Sequence, residues 1–128
     1  MDAATALAEL EGLSSRIESA VVLDAAGEVL GSTGAGAARL GDAVRELLAT
    51  AGALRASDDE VTRIEVELDE GGLFVLREGG RTIAATTGPG AIAGIVVYDL
   101  RTCLEGIDAK PERRRGKPKG SNGNEEGA

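Results

Sequence analysis

Between residues 61 and 86 three short apolar runs follow one another, separated by paired glycines. Val61-Thr62-Arg63-Ile64-Glu65-Val66-Glu67-Leu68 alternates apolar and polar side chains, the period of a strand with one buried face. Asp69-Glu70-Gly71-Gly72 ends that run. Leu73-Phe74-Val75-Leu76-Arg77 is a nearly continuous apolar strand, and Glu78-Gly79-Gly80 turns the chain into Arg81-Thr82-Ile83-Ala84-Ala85-Thr86. Connections this short join antiparallel neighbours, because a parallel crossover needs a dozen residues or more. The segment therefore predicts a three-stranded meander, with the Phe74 run in the middle of a sheet covered on both faces and the alternating run nearer an edge.

Upstream, Ala3 to Glu18 sets Leu7, Leu10, Ser14 and Ile17 at helical spacing, with Leu13 beside them and Asp2 and Thr5 as caps, which predicts a first helix. Ser19 to Asp24 and Glu28 to Ser32 flank Ala25-Ala26-Gly27 as a hairpin. After Thr33-Gly34-Ala35-Gly36 a longer helix is expected from Ala37 to Arg55, buried through Leu40, Val44, Leu47, Leu48, Ala51 and Leu54. A second stripe on that helix, Arg39, Ala43, Glu46, Thr50 and Ala53, has small central residues that let another helix approach closely. Thr87-Gly88-Pro89-Gly90 then reads as the start of a third helix carrying Ile92, Ile95, Val96, Leu100, Cys103, Leu104 and Ile107. The order predicts an α+β fold, a five-stranded antiparallel sheet with helices on both faces.

The 128 residues suit one domain, 1–107, followed by a tail, 108–128. Up to residue 107 there are 8 Arg, no Lys and 18 carboxylates, a net of −10, whereas the tail has 6 basic and 4 acidic residues, a net of +2. The tail has no apolar side chain except Ala and is expected to be disordered. A body at −10 repels phosphate backbones, so no nucleic-acid partner is expected. The basic run Arg113-Arg114-Arg115-Gly116-Lys117-Pro118-Lys119 lacks interleaved aromatics and reads first as a solubilising linker, with a contact to the acidic body left open.

Absences narrow the chemistry further. With no His and a single Cys, catalytic triads, Cys-His dyads and zinc sites are not available, and neither catalytic, cofactor-binding nor metal residues are assigned. Cys103 lies on an apolar stripe and reads as a buried structural thiol. No apolar run approaches the roughly 18 residues of a membrane span, and the N-terminus lacks a basic leader region, so a soluble, cytoplasmic protein without stable membrane insertion is expected. Gly31 to Gly36 precedes a helix as a phosphate loop does, but Ala37-Ala38 stand where a Walker loop needs Lys and Ser/Thr. The acidic stretches at Asp58-Asp59-Glu60 and Asp69-Glu70 lack calcium-loop spacing. Only 30 residues are Leu, Ile, Val or Phe, and so thin a core gains from burying a face in an oligomer.

Ala20-Val21-Val22-Leu23-Asp24, then Gly27-Glu28-Val29-Leu30-Gly31-Ser32, a long helix, the Val/Glu-alternating strand, Gly72-Leu73-Phe74-Val75 and a small-residue strand leading into Ile92-Ala93-Gly94-Ile95 together resemble the Roadblock/dynein light chain (Roadblock/LC7) family over Thr5 to Ile107. Two features depart from that family's usual pattern: Glu18-Ser19 stands where many members carry a glycine, and Ala25-Ala26-Gly27 replaces the commoner Asp-Gly turn. The resemblance implies a Roadblock/profilin-like sheet of order 2-1-5-4-3, with the second helix on one face and the first and third on the other. It also implies a homodimer in which second helices align antiparallel and third strands join edge to edge. In that dimer Ala43, Thr50 and Ala53 would meet the partner helix. A strand pairing centred on Ile64 would set Arg63 opposite the partner's Glu65, and one centred on Glu65 would oppose two glutamates.

Members of the family scaffold or regulate small Ras-like GTPases or link dynein to cargo through the paired second helices. For this chain the resemblance implies Arg39, Asp42, Arg45, Glu46 and Ala49 as the partner surface and a non-enzymatic role, with no cofactor. An alternative of another class is a small-ligand sensing domain of PAS-like or profilin-like layout. Such pockets usually carry aromatic linings, and Phe74 and Tyr98 are the only aromatics here. A hydrolase is the third and weakest reading, given the missing general base.

Overall fold

The computed structural model describes residues 1–54 and 62–107, so Arg55, the acidic run 58–60, Val61 and the tail 108–128 lie outside the described residues. Eight elements follow in the expected order: α1 (Ala3–Leu13), β1 (Ile17–Leu23), β2 (Val29–Gly34), α2 (Ala37–Ala53), β3 (Arg63–Leu68), β4 (Gly71–Glu78), β5 (Arg81–Thr87) and α3 (Ala93–Gly106). The strands form one antiparallel sheet of order β2-β1-β5-β4-β3. One helix covers one face and two cover the other, as the resemblance implies.

Strand alternation sorts the core into two layers. On one face Ala3, Ala6, Leu7 and Leu10 of α1 and Val96, Val97, Leu100, Cys103 and Leu104 of α3 close over Ala20, Val22, Phe74, Leu76, Ile83 and Ala85. On the other, Leu40 and Val44 of α2 meet Val21, Leu23, Val75 and Ala84, with Leu47, Leu48, Ile64 and Leu73 half-buried at the margin. Helix α2 packs on β1, and to a lesser extent on β2 and β5. The second layer is therefore smaller and stops short of the β3 edge.

Three local expectations are corrected. The first helix ends at Leu13 rather than Glu18: Gly12, Ser14 and Ser15 are weak helix formers, Ser14 is extended and its N–H closes the last turn on the Leu10 carbonyl. Ile17 shares the stripe's spacing because it enters the same core from β1, while Leu13 is exposed. The third helix starts at Ala93, with extended Ile92 at its N-cap, because Thr87 belongs to β5, where it is buried and its Oγ1 accepts the Gly72 N–H. Ile92 and Ile95 are consequently exposed, and Val97 takes a core place. The middle strand is β5 rather than β4. Its Ala84 and Ala85 are small enough for helices to press on both faces, whereas the larger Phe74 lies one strand out.

The β1–β2 hairpin shows how the chain turns without Asp-Gly. Asp24 Oδ1 accepts the N–H groups of Ala26 and Glu28, each at 2.9 Å, and Gly27 takes φ +87. At the far end Gly34 (φ +88) lies so close to β1 that a Cβ would overlap the Glu18 carbonyl oxygen.

The corrected helix end carries a test. Leu100→Ala, at a fully buried site, should cost about 2–5 kcal/mol, whereas Leu13→Ala, at a side chain 82% exposed, should shift the urea midpoint hardly at all. Similar losses for both would contradict the assigned boundary.

Candidate functional site

Helix α2 is amphipathic, with Ala37, Leu40, Gly41 and Val44 buried toward the sheet. Its outward face presents Arg39, Asp42, Ala43, Glu46, Ala49, Thr50 and Ala53, all exposed. Ala43, half-buried Leu47, Thr50 and exposed Leu54 recur four, three and four residues apart, the spacing of one packing seam. Alanine and threonine in that seam keep the surface low.

Arg45 differs from its neighbours. Its Nη1 donates to the Gly27 carbonyl at 2.7 Å and its Nη2 pairs with the Asp42 carboxylate. The guanidinium thus ties the outer face of α2 to the β1–β2 turn, which the helical spacing gave no sign of. A cleft of about 340 Å³ lies there, lined by Leu23, Asp24, Arg45, Leu48, Arg77 and Thr82 among others.

Strand β3 lies at the sheet edge, as its alternation predicts. The Arg77 N–H donates to the Thr62 carbonyl at 2.9 Å. With Arg63 opposite Leu76 and Ile64 opposite Val75, antiparallel geometry then directs the N–H and C=O groups of Ile64 and Val66 toward β4 and those of Arg63, Glu65 and Glu67 outward. The side chains alternate by face. Ile64 is half-buried on the α2 side, and Val66 points the same way; Arg63 and Glu65 lie on the α3 side, joined by an ion pair of 3.0 Å.

The eleven residues singled out in the sequence thus occupy two neighbouring features, the outer stripe of α2 (Arg39, Asp42, Ala43, Arg45, Glu46, Ala49, Thr50, Ala53) and the β3 edge (Arg63, Ile64, Glu65). Between them lies the half-buried margin formed by Leu47, Ile64 and Leu73. Leu54, expected on the buried stripe of the second helix, and Leu68, expected on the covered face of the alternating run, are instead exposed, because each lies at the end of its element, and they add apolar surface. Their apolar spacing resembles that of core residues, which is why it does not distinguish a monomer core from an interface.

Among the described residues two groups titrate away from their ordinary values. The Asp2 carboxyl, the N-cap of α1, is held low by hydrogen bonds from Thr5, whose N–H donates to Asp2 Oδ1 at 2.9 Å. Burial, and then the nearby Glu9 carboxylate, push the Cys103 thiol up to about 11. Among the described residues no group of three or more His, Cys, Asp or Glu side chains is arranged to hold a metal ion, and no helix is long and apolar enough to cross a membrane.

No protein-family profile and no curated protein matches the sequence. Solved structures do match. A Roadblock/LC7 domain from Streptomyces avermitilis is 24% identical, with a TM-score of 0.69 over 82% of this chain and 93% of that one. MglB in a tetrameric arrangement is 18% identical, with a TM-score of 0.69 over 82% of this chain and 84% of its own. LokiProfilin2, in complex with rabbit actin, is 12% identical with a TM-score of 0.57, over 79% and 91% of the two chains. The fold is that of Roadblock/LC7 domains and, more distantly, of profilins.

The raised thiol pKa sets a chemical test. A thiol with a pKa of about 11 is almost wholly protonated at pH 8, so an aromatic disulfide reagent should modify the folded chain about 100-fold more slowly than a free cysteine. Because burial disfavours the thiolate, this group lowers folding stability as pH climbs from the unfolded value near 9 toward 11. Rapid stoichiometric labelling of folded protein would contradict the buried assignment.

Proposed function

We propose that the chain works as a cytoplasmic, non-enzymatic homodimer of Roadblock type that binds a small Ras-like GTPase and regulates or positions it. The observation that carries the reading is the β3 edge with three outward-facing backbone residues, lying beside an apolar margin that α2 leaves half-covered. An edge that no described residue pairs, next to apolar surface, invites another strand, and a second copy of the same edge satisfies it without leaving a new one. MglB, with the same fold, occurs in a tetrameric arrangement, which supports self-association.

In such a dimer the Ala43/Leu47/Thr50/Leu54 seam of one α2 packs on that of the other, and the two edges form a ten-stranded sheet. The Ile64-centred register puts Ile64 against its own copy and Arg63 beside the partner's Glu65. Each of these arginines already pairs with Glu65 of its own strand, so the four charges alternate. The Glu65-centred register stacks two carboxylates and is disfavoured by cross-strand repulsion.

The paired α2 helices then offer Arg39, Asp42, Glu46 and Ala49 as a two-fold platform, a mixed-charge surface that gives orientation and specificity more than affinity. Arg45, bound within its own chain, stiffens the rim of that platform. Regulation needs no catalytic group from this chain. A surface that binds one arrangement of a GTPase's switch loops better than another shifts their population by that difference in affinity.

Two measurements separate dimer from partner. Arg63→Glu should weaken self-association about thirtyfold and Arg63→Glu/Glu65→Arg should restore it, read by analytical ultracentrifugation, since the dimer holds two such cross-strand pairs and opposite-charge and like-charge pairs differ by about 1 kcal/mol each. Asp42→Lys with Ala49→Glu, both exposed and off the helix–helix stripe, should leave the dimer intact and abolish capture of a Ras-like GTPase from the native cell. A wild-type chain that captures no GTPase would overturn the partner assignment, and GTP hydrolysis by the purified chain would overturn the non-enzymatic one.

A further inference from the structure

The sheet face opposite α2 has an uncovered margin of its own. Helix α3 packs on β5 and β4, and between it and β3 runs an open groove of about 690 Å³. Its floor is Gly71, Gly72 and Phe74, and its far rim is the β5–α3 connection, Gly88 to Ala91. The glycines are there for a steric reason. A Cβ on Gly71 would overlap the Thr87 carbonyl oxygen, and one on Gly72 would lie 3.0 Å from the Phe74 ring and 3.2 Å from Thr87 Oγ1. The floor is consequently bare, and Glu65, Glu67 and Asp69 line the near wall; Glu65 is paired with Arg63 and Arg16 donates to the Pro89 carbonyl at the far rim, which leaves Glu67 and Asp69 as the acidic groups facing the groove.

We propose that the basic segment Arg113–Lys119 of the same chain occupies this groove. Charge is the first ground: five of those seven residues are Arg or Lys, whereas the body up to residue 107 carries −10. Reach is the second. Arg81 Nη1 donates to the Ile107 carbonyl at 3.2 Å, which fixes the exit of the chain at the Arg81 end of β5. The groove lies at the Thr87 end, about 20 Å away at the rise of a strand. Residues 108–113 span about 20 Å when extended, and Lys119 reaches about 40 Å. Tethering is the third, because a linked segment is present at an effective concentration of roughly millimolar, ahead of any separate basic polypeptide.

The occupied groove brings positive charge to the acidic side of β3 without using its hydrogen-bonding edge. It is therefore compatible with the proposed dimer and independent of the proposed GTPase.

The test uses the full chain with Ser121→Cys carrying a nitroxide, Cys103 being buried and slow to label. Paramagnetic relaxation of amide protons is the readout. At about 0.01 M salt, where screening extends about 30 Å, relaxation at Gly71, Gly72, Gly88 and Gly90 should exceed that at Ala49 on α2 about tenfold, and at about 1 M salt the difference should vanish. It should vanish also in Arg113→Glu/Arg114→Glu/Arg115→Glu and in Glu67→Lys/Asp69→Lys, which spares Glu65. Dilution with excess unlabelled chain of natural isotope content should leave it unchanged. Equal relaxation on the two faces, indifference to the charge reversals, or loss on dilution would overturn the proposal.

Discussion

A helix with its side chains is about 10 Å across, whereas five strands spaced about 4.8 Å apart span about 19 Å. One helix cannot cover such a sheet, and two can. The side with α1 and α3 accordingly holds the larger apolar layer. The side with α2 holds the smaller one, buried under β1 and its neighbours, and leaves Ile64 and Leu73 half-covered toward β3. Most other features follow from this mismatch in width. The small residues of β5 admit helices on both faces, the alternation of β3 suits a strand with one covered face, and the shortfall of cover falls at the sheet's open edge.

On the proposed reading, that placement couples sequence to function without any catalytic group. Arg63, Glu65 and Glu67 turn their backbone groups outward at the same margin where apolar cover runs out. The outer stripe of α2, a few residues away, is small and mixed in charge. In the proposed dimer a second copy would answer the edge and the margin together, and the joined α2 helices would make a surface that neither copy has alone. The Arg45 link to Gly27 and Asp42 holds the outer face of α2 against the β1–β2 turn, so that face rests on the sheet and not on one helix's own rigidity.

The order of elements was legible because glycine pairs and alternation act within a few residues. Strand order is another matter: the turns set β3-β4-β5 as neighbours, but only the family resemblance implied that β1 joins β5. Boundaries misled where two elements feed one core. Ile17 continues the spacing of α1 from a strand, and Ile92 and Ile95 extend the stripe of α3 into solvent. Apolar periodicity records which residues share a direction, not whether the chain has already turned. The site was half legible. Exposure of the α2 stripe follows from amphipathicity, whereas the Arg45 clamp joins residues eighteen apart and the glycine-floored groove depends on how closely β4 approaches β5; neither leaves a local pattern.

The central claim is that a second copy closes the β3 edge, and amide hydrogen exchange of the intact chain in solution tests it residue by residue. The Arg63 and Glu65 amides face away from β4, so within a solitary subunit they exchange at the rate of an open edge. The account predicts protection comparable to that of Ile64 and Val66. Free exchange at Arg63 and Glu65 in a species of 13.0 kDa would contradict it.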